Sequence, residues 1–129
     1  RLPSGRCLAY YGPEIKMKAA PWGEKLPKLY HWQVDSYSKK WVRGATYGGK
    51  LTENCSQAIA RDVNINGVSN AIGSGYSYLF QVHDEVICEK PNGEGSLQEF
   101  NNLLTLLPEW AEGLPVKAEG WVGGRYKKG

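Results

Sequence analysis

Phe80-Gln81-Val82-His83-Asp84-Glu85-Val86 is the stretch on which the fold turns. Before it, Tyr76-Ser77-Tyr78-Leu79-Phe80-Gln81-Val82 is aromatic-rich and β-prone, and strict alternation places Tyr76, Tyr78, Phe80 and Val82 on one face. After it, Val86-Ile87-Cys88 reads as a second strand. Two apolar strands are thus joined by a polar break that holds adjacent carboxylates. Such neighbours repel, and a hairpin selected only for stability favours Asn-Gly or Asp-Gly at its tip. A divalent cation would neutralise the pair. Magnesium takes oxygen ligands and is often held by one or two protein carboxylates plus substrate phosphates. The competing reading is a solvated polar turn.

Working outward, Leu51, Cys55, Ala58, Ile59 and Val63 fall at helical spacing, interrupted by Asp62, and predict a helix from about Lys50 to Ala71, weakening near Gly67. Gly73-Ser74-Gly75 stops it. Downstream, Ser96 and Glu99 form a capping box ahead of Leu97, Phe100, Leu103, Leu104 and Leu107, a second helix ended by Pro108. Upstream, Cys7 to Tyr11 reads as a strand closed by Gly12-Pro13. Leu29–Val34 and Lys40–Arg43 flank Asp35-Ser36-Tyr37-Ser38 as a hairpin. Val116–Val122 reads as a last strand before a basic tail at Arg125, Lys127 and Lys128. The expected class is α+β, an antiparallel sheet backed by two main helices.

The 129 residues fit one compact domain, and no apolar run approaches the roughly 18 residues of a membrane span. Five Trp, eight Tyr and two Phe supply too much buriable surface for a disordered chain. Charge is unevenly placed: Arg1 to Lys50 holds ten cations against three anions, a net +7, while the remaining 79 residues carry −4. A basic segment beside an acidic one fits a polyanion-binding surface next to a carboxylate site, with scattered solvated lysines as the alternative. Cys7, Cys55 and Cys88 are odd in number and widely spaced, and His31 and His83 lie far apart, so a zinc ribbon is poorly supported. Reduced thiols in an intracellular, cytoplasmic setting are expected. Cys55 and Cys88 read as small buried hydrophobes, and His31 as a packed or surface histidine; Trp22, Trp32, Trp41, Trp110 and Trp121 read as core, with stacking on bases as the alternative. The start at Arg1, without Met, suggests a piece of something longer.

Gln81-Val82-His83-Asp84-Glu85-Val86 resembles the motif C hairpin of family A DNA polymerases, the DNA polymerase I family. Gln57-Ala58-Ile59-Ala60-Arg61-Asp62 is similar to that family's Gln-Gly-Thr-Ala-Ala-Asp stretch on the preceding helix. Tyr47-Gly48-Gly49-Lys50-Leu51, and Leu114-Pro115-Val116-Lys117-Ala118-Glu119-Gly120-Trp121 near the end, look like the phage and prophage branch. Leu2-Pro3-Ser4-Gly5-Arg6 resembles the segment linking fingers to palm. The blocks stand in the family's order and cover almost the whole chain.

The resemblance implies a C-terminal palm segment, 1–129, of a template-directed nucleotidyl transferase. Residues 1–49 would form a basic fingers-to-palm connection and 50–129 the motif C core. Asp84 would be the metal-binding aspartate of motif C, sharing magnesium with an aspartate of motif A, and Glu85 its supporting neighbour. His83 would sit beside the primer-terminal backbone, and Gln57 would contact the minor groove near the primer terminus. The family's upstream asparagine falls on Glu53 or, shifted by one residue, Asn54, and its arginine on Lys50. The implied partners are primer–template DNA, deoxynucleoside triphosphates and the remaining palm and fingers segments.

The chain contains no motif A and no fingers helix. Asp35 imitates motif A, but it lies only 49 residues before Asp84 and reads as a turn residue. The isolated chain is therefore expected to be inactive alone. The alternatives are a non-catalytic nucleic-acid-binding module or degenerate polymerase remnant, and, ranked lower, a small metal-dependent nuclease using Asp84 and Glu85. Lys39, Lys40, Arg43 and Lys50 are candidates for duplex phosphate contact. Asp62 is expected to make a structural pairing.

Overall fold

In a computed structural model, which describes residues 1–127, the chain is α+β, with two antiparallel sheets and two helices. It divides into two compact units, Arg1–Ala58 and the residues from Ile59 onward. Among the described residues no helix is long and apolar enough to cross a membrane. Lys128, expected in the basic tail, lies outside the described residues.

The first unit holds a three-stranded sheet of β1 (Tyr11–Ala19), β2 (Lys25–Val34) and β3 (Trp41–Thr46), in that order and antiparallel throughout. The expected β2–β3 hairpin is present, and Asp35 is its turn residue. One carboxylate oxygen, Oδ1, accepts from Ser38 N at 2.7 Å, Ser38 Oγ at 2.8 Å and Tyr37 N at 3.2 Å, the local bonding that makes Asp a turn former. Those donors, the Ser38 amide first, hold its carboxyl below the usual aspartate value.

The strand expected at Cys7–Tyr11 is displaced: β1 begins at Tyr11 and runs on to Ala19. Gly12-Pro13 does not terminate a strand; it forms a bulge. The register slips by one residue between Tyr11↔Trp32 and Glu14↔Tyr30, and Gly12 takes φ +54°. A Cβ at Gly12 would come within 3.1 Å of Trp32 Cδ1, so both conformation and space favour glycine. Proline is tolerated because β1 is an edge strand. Pro27 lies on the centre strand, but in the part that pairs only with β1, since β3 reaches no further than Leu29.

Helix α1 spans Gly48–Gly73, longer at both ends than the apolar stripe predicts. Its first part belongs to the first unit, where Ala58 is buried with Leu2, His31 and Thr46. Arg6 Nη2 donates to the Ala58 carbonyl at 3.1 Å, anchoring the chain start to the helix. His31 is packed, as one of its two expected states, with its ring edge-on to Tyr10 at 5.1 Å.

In the second unit α1 continues through Gly67 without weakening, because the glycine serves packing. A Cβ there would lie 2.7 Å from the Leu104 carbonyl oxygen and 3.0 Å from its Cα, so the backbone of helix α2 (Leu97–Thr105) passes directly over it. Around this contact Asn66 Nδ2 donates to Leu106 O at 2.7 Å, and Asn70 Nδ2 to Leu103 O and Leu106 O at 3.2 and 3.0 Å. Carbonyls that α2 leaves unpaired at its C-terminus are thereby satisfied by side chains of α1. At its start, Ser96 Oγ accepts from Glu99 N at 3.1 Å, half of the expected capping box. The other half is taken by Tyr76, whose hydroxyl accepts from Ser96 N, while the Glu99 carboxylate pairs with Lys90 at 3.5 Å. Lys90 Nζ also donates to Ser74 O at 3.1 Å, beyond the C-terminus of α1, and stands 4.2 Å over the Tyr76 ring.

The second sheet is the hairpin of β4 (Ser77–Val82) and β5 (Glu85–Glu89). The expected common face of Tyr76, Tyr78, Phe80 and Val82 is broken. Tyr78 pairs with Cys88 but Phe80 with Ile87, so Leu79 is an extra residue. Beyond it, Gln81 shares a face with Tyr78, Val86 and Cys88, whereas Phe80, Val82, Glu85 and Ile87 share the other. The strand expected at Val116–Val122 is absent. That segment runs beside α2 with no strand to pair with: a Cβ on Gly120 would meet Leu97 and Asn101.

Two burial expectations are also corrected. Cys55 is exposed, while Cys88 is half-buried, with burial raising its thiol pKa. Trp22, Trp32, Trp41 and Trp121 are exposed, so they are not core residues; the buried apolar side chains are smaller, such as Val63, Val68 and Ala71.

Candidate active-site hairpin

His83 and Asp84 are the two residues of the β4–β5 turn, and Val82 pairs with Glu85 across its base. His83 has φ +55°. Asp84 is not among the residues with positive φ. Positive φ at the first turn position only is the pattern of a type II′ hairpin, which normally places Gly there. A histidine in the left-handed region is uncommon and costs about 1–2 kcal/mol. The sequence therefore keeps a conformationally unfavourable residue immediately before the candidate metal ligand.

The turn is held from α1. Gln81 Nε2 donates to Asn64 Oδ1 and to the His83 carbonyl, both at 2.7 Å, and Asn64 Nδ2 reaches the Asp84 carbonyl at 3.4 Å. These bonds involve the turn backbone and leave the Asp84 carboxylate unengaged. Asp84 is exposed, and its carboxylate has no ion-pair partner among the described residues. Glu85 is differently placed: its Oε2 accepts from Tyr126 Oη at 2.7 Å, and the Tyr126 ring meets Phe80 edge-on at 5.3 Å. That bond to an anion raises the Tyr126 phenol above its ordinary pKa of 10.0.

The donor chemistry at Asp84 fits a hard cation such as magnesium, with one free carboxylate oxygen pair in solvent. No cluster of three or more His, Cys, Asp or Glu able to hold a metal exists among the described residues.

The other site candidates lie on the first part of α1. Glu53 is bonded by Lys50 Nζ at 3.0 Å and by Gln57 Nε2 at 3.2 Å, one carboxylate oxygen each. Gln57 and Lys50 are exposed. Asn54 is half-buried and donates from Nδ2 to Tyr10 Oη at 3.2 Å. Arg43 bonds Glu14 at 2.9 Å and the Gly12 carbonyl at 2.7 Å. The structure thus groups His83, Asp84 and Glu85 on one turn, and Lys50 and Gln57 around Glu53. Sequence reasoning missed Asn64, Gln81 as a positioning group, and Tyr126. Asn64 carried a weak signal, a polar residue one position past the apolar Val63; Tyr126 carried none.

Over 128 residues, 99% of its length, the chain is 38% identical to a DNA polymerase of Bacillus phage SP02. It spans 19% of that protein, so the similarity is to a segment of a phage polymerase. No family model matches the chain. No solved structure matches it.

Proposed function

We propose that the chain is the motif C palm segment of a family A DNA polymerase and serves template-directed nucleotidyl transfer within the whole enzyme. The observation that carries this reading is a His-Asp-Glu hairpin with a free, solvent-facing Asp84 carboxylate, in a chain that is similar along 99% of its length to a phage DNA polymerase.

Asp84 would hold magnesium together with an aspartate from elsewhere in the polymerase. When bound, the metal pair supplies activation of the primer 3′ oxygen and stabilisation of the leaving pyrophosphate. This chain's own residues set where that happens. Gln81 and Asn64 fix the turn backbone, so Asp84 is presented with little freedom to reorient. Glu85 is restrained by Tyr126 and supports the site as the secondary carboxylate. Gln57 and Lys50, exposed on α1, contact the DNA minor groove and backbone, His83 the primer terminus, and Asn54 positions Tyr10 or reaches DNA after giving up that bond. The partners are primer–template DNA and deoxynucleoside triphosphates. With Asp84 supplying one of the two aspartates that this mechanism needs, the 129-residue chain alone is inactive.

The test is Asp84→Asn in the polymerase that contains this segment. Magnesium-dependent primer extension is expected to fall by at least about a thousandfold with DNA affinity nearly unchanged. Parallel loss of extension and DNA affinity would assign Asp84 to folding instead.

A further inference from the structure

The β1–β3 sheet carries a face that the hairpin site does not use. By register Tyr11, Trp32, Val34, Trp41 and Arg43 lie on the same side of it. Tyr11 is 62% exposed, Trp32 38% and Trp41 53%. The opposite side of the sheet holds buried His31 and Thr46, so the burial of this sheet is one-sided where β3 is present. Rings of this size are ordinarily turned inward, and a contiguous exposed group of them marks an interaction surface.

The rings are held in place. The planes of Trp32 and Trp41 are parallel to within 4°, with centroids 6.5 Å apart, and Tyr11 meets Trp41 edge-on at 5.9 Å. The Arg43 guanidinium stands 5.7 Å from the Trp32 ring and is itself tied by Glu14 and the Gly12 carbonyl. A platform ordered before its ligand arrives loses less entropy on binding.

The same face continues along β1 and β2 beyond the end of β3, where Lys16 sits directly across from Lys28 with Lys18 two residues further. Like charges opposite one another destabilise a ladder. Glu14 offsets Lys16 at 3.4 Å but is shared with Arg43, and Lys28 has no ion-pair partner among the described residues. A polyanion lying along the face would relieve that repulsion while presenting planar groups to the tryptophans.

We propose that this face binds single-stranded DNA, with bases stacked on Trp32 and Trp41 and phosphates tracked by Lys16, Lys28 and Arg43. Base faces are available for stacking in a single strand and hidden in a duplex. The face itself stands on the sheet's geometry; the choice of DNA among single strands rests on the polymerase reading.

The experiment titrates the 129-residue chain with a labelled oligothymidylate of about 12 nucleotides, following anisotropy and tryptophan fluorescence. Expected are quenching, affinity that falls with salt, and a preference of about tenfold or more over a duplex of equal length. Trp32→Ala with Trp41→Ala should weaken binding about tenfold or more, and Trp32→Phe with Trp41→Phe should retain most of it. Lys16→Gln with Lys28→Gln should flatten the log–log salt slope by about 1.4. Circular dichroism identifies any variant that fails to fold, and the phenylalanine pair then decides. Equal affinity for duplex, or binding indifferent to loss of both tryptophans, would overturn the proposal. So would a folded chain that ignores the oligonucleotide, or self-associates through this face instead. A tenfold preference for oligouridylate would overturn the assignment to DNA. Binding at this face is read on the 129-residue chain without magnesium, whereas the hairpin's role is read by magnesium-dependent extension, so failure of the one and failure of the other give separate results.

Discussion

His83 shows how one backbone angle can carry a functional argument. At φ +55° it occupies a position that glycine would take at less cost. His83→Gly is expected to leave hairpin stability unchanged or raise it by up to about 1 kcal/mol, read by chemical denaturation. In the whole polymerase the same change should slow primer extension, because the turn before Asp84 gains freedom. A loss of stability instead would mean that the imidazole makes a stabilising contact. Adjacent carboxylates at a hairpin tip marked the turn in the sequence without deciding between a cation site and a solvated tip, and Asp84 became the candidate ligand through the resemblance to motif C. The restraint on that turn was not legible: Asn64 lies 20 residues before Asp84, and only the folded chain brings them to 3.4 Å. Whether the tryptophans pack or stand exposed was equally undecided. An indole has the same sequence signature in a core as on a platform, and Trp41 is 53% exposed.

Among the elements, the helices were read most securely and for identifiable reasons. Apolar spacing marked α1, and Ser96 with Glu99 marked the start of α2, although the observed box is completed by the Tyr76 hydroxyl. Gly67 was misread as a weakness because intrinsic propensity penalises glycine in any helix. Its actual role is close helix approach, which predicts that Gly67→Ala destabilises the second unit by about 1–3 kcal/mol despite alanine's better propensity. Gly73→Ala, where nothing lies within 4 Å of the added Cβ, is the control and should be neutral or mildly stabilising. Urea denaturation of both variants separates the two; equal effects would rule out backbone contact as the cause. The missing strand at Val116–Val122 has a related lesson. The segment reads as a strand, but a strand also needs a partner edge, and at Gly120 the chain lies against Leu97 and Asn101 of α2.

For the whole molecule, the α+β class followed from the element order, but division of the strands between two sheets did not, since no local signal states which strands pair. Stability should respond to pH at both extremes, through a different unit at each. The folded-state pKa of Asp35 is lowered, so its contribution is present above its unfolded value of 3.8 and is lost as pH falls through the folded value. The folded-state pKa of Tyr126 is raised, so its contribution is present below 10.0 and is lost as pH rises through the folded value. Asp35→Asn should therefore reduce the acid dependence alone, and Tyr126→Phe the alkaline dependence alone, in denaturation series across pH. A change at the opposite extreme would contradict the assigned pairings. The extra residue in β4 governs which side of the hairpin is which. Side chains along a strand have parity, and Leu79 changes it: Gln81 comes to lie with Tyr78 and bonds α1, while Phe80 and Glu85 come to lie together and meet Tyr126. Deleting a single residue there would preserve composition, length and charge almost entirely, yet exchange the two sides beyond it, so the hairpin behaves as a word whose meaning depends on its letter count.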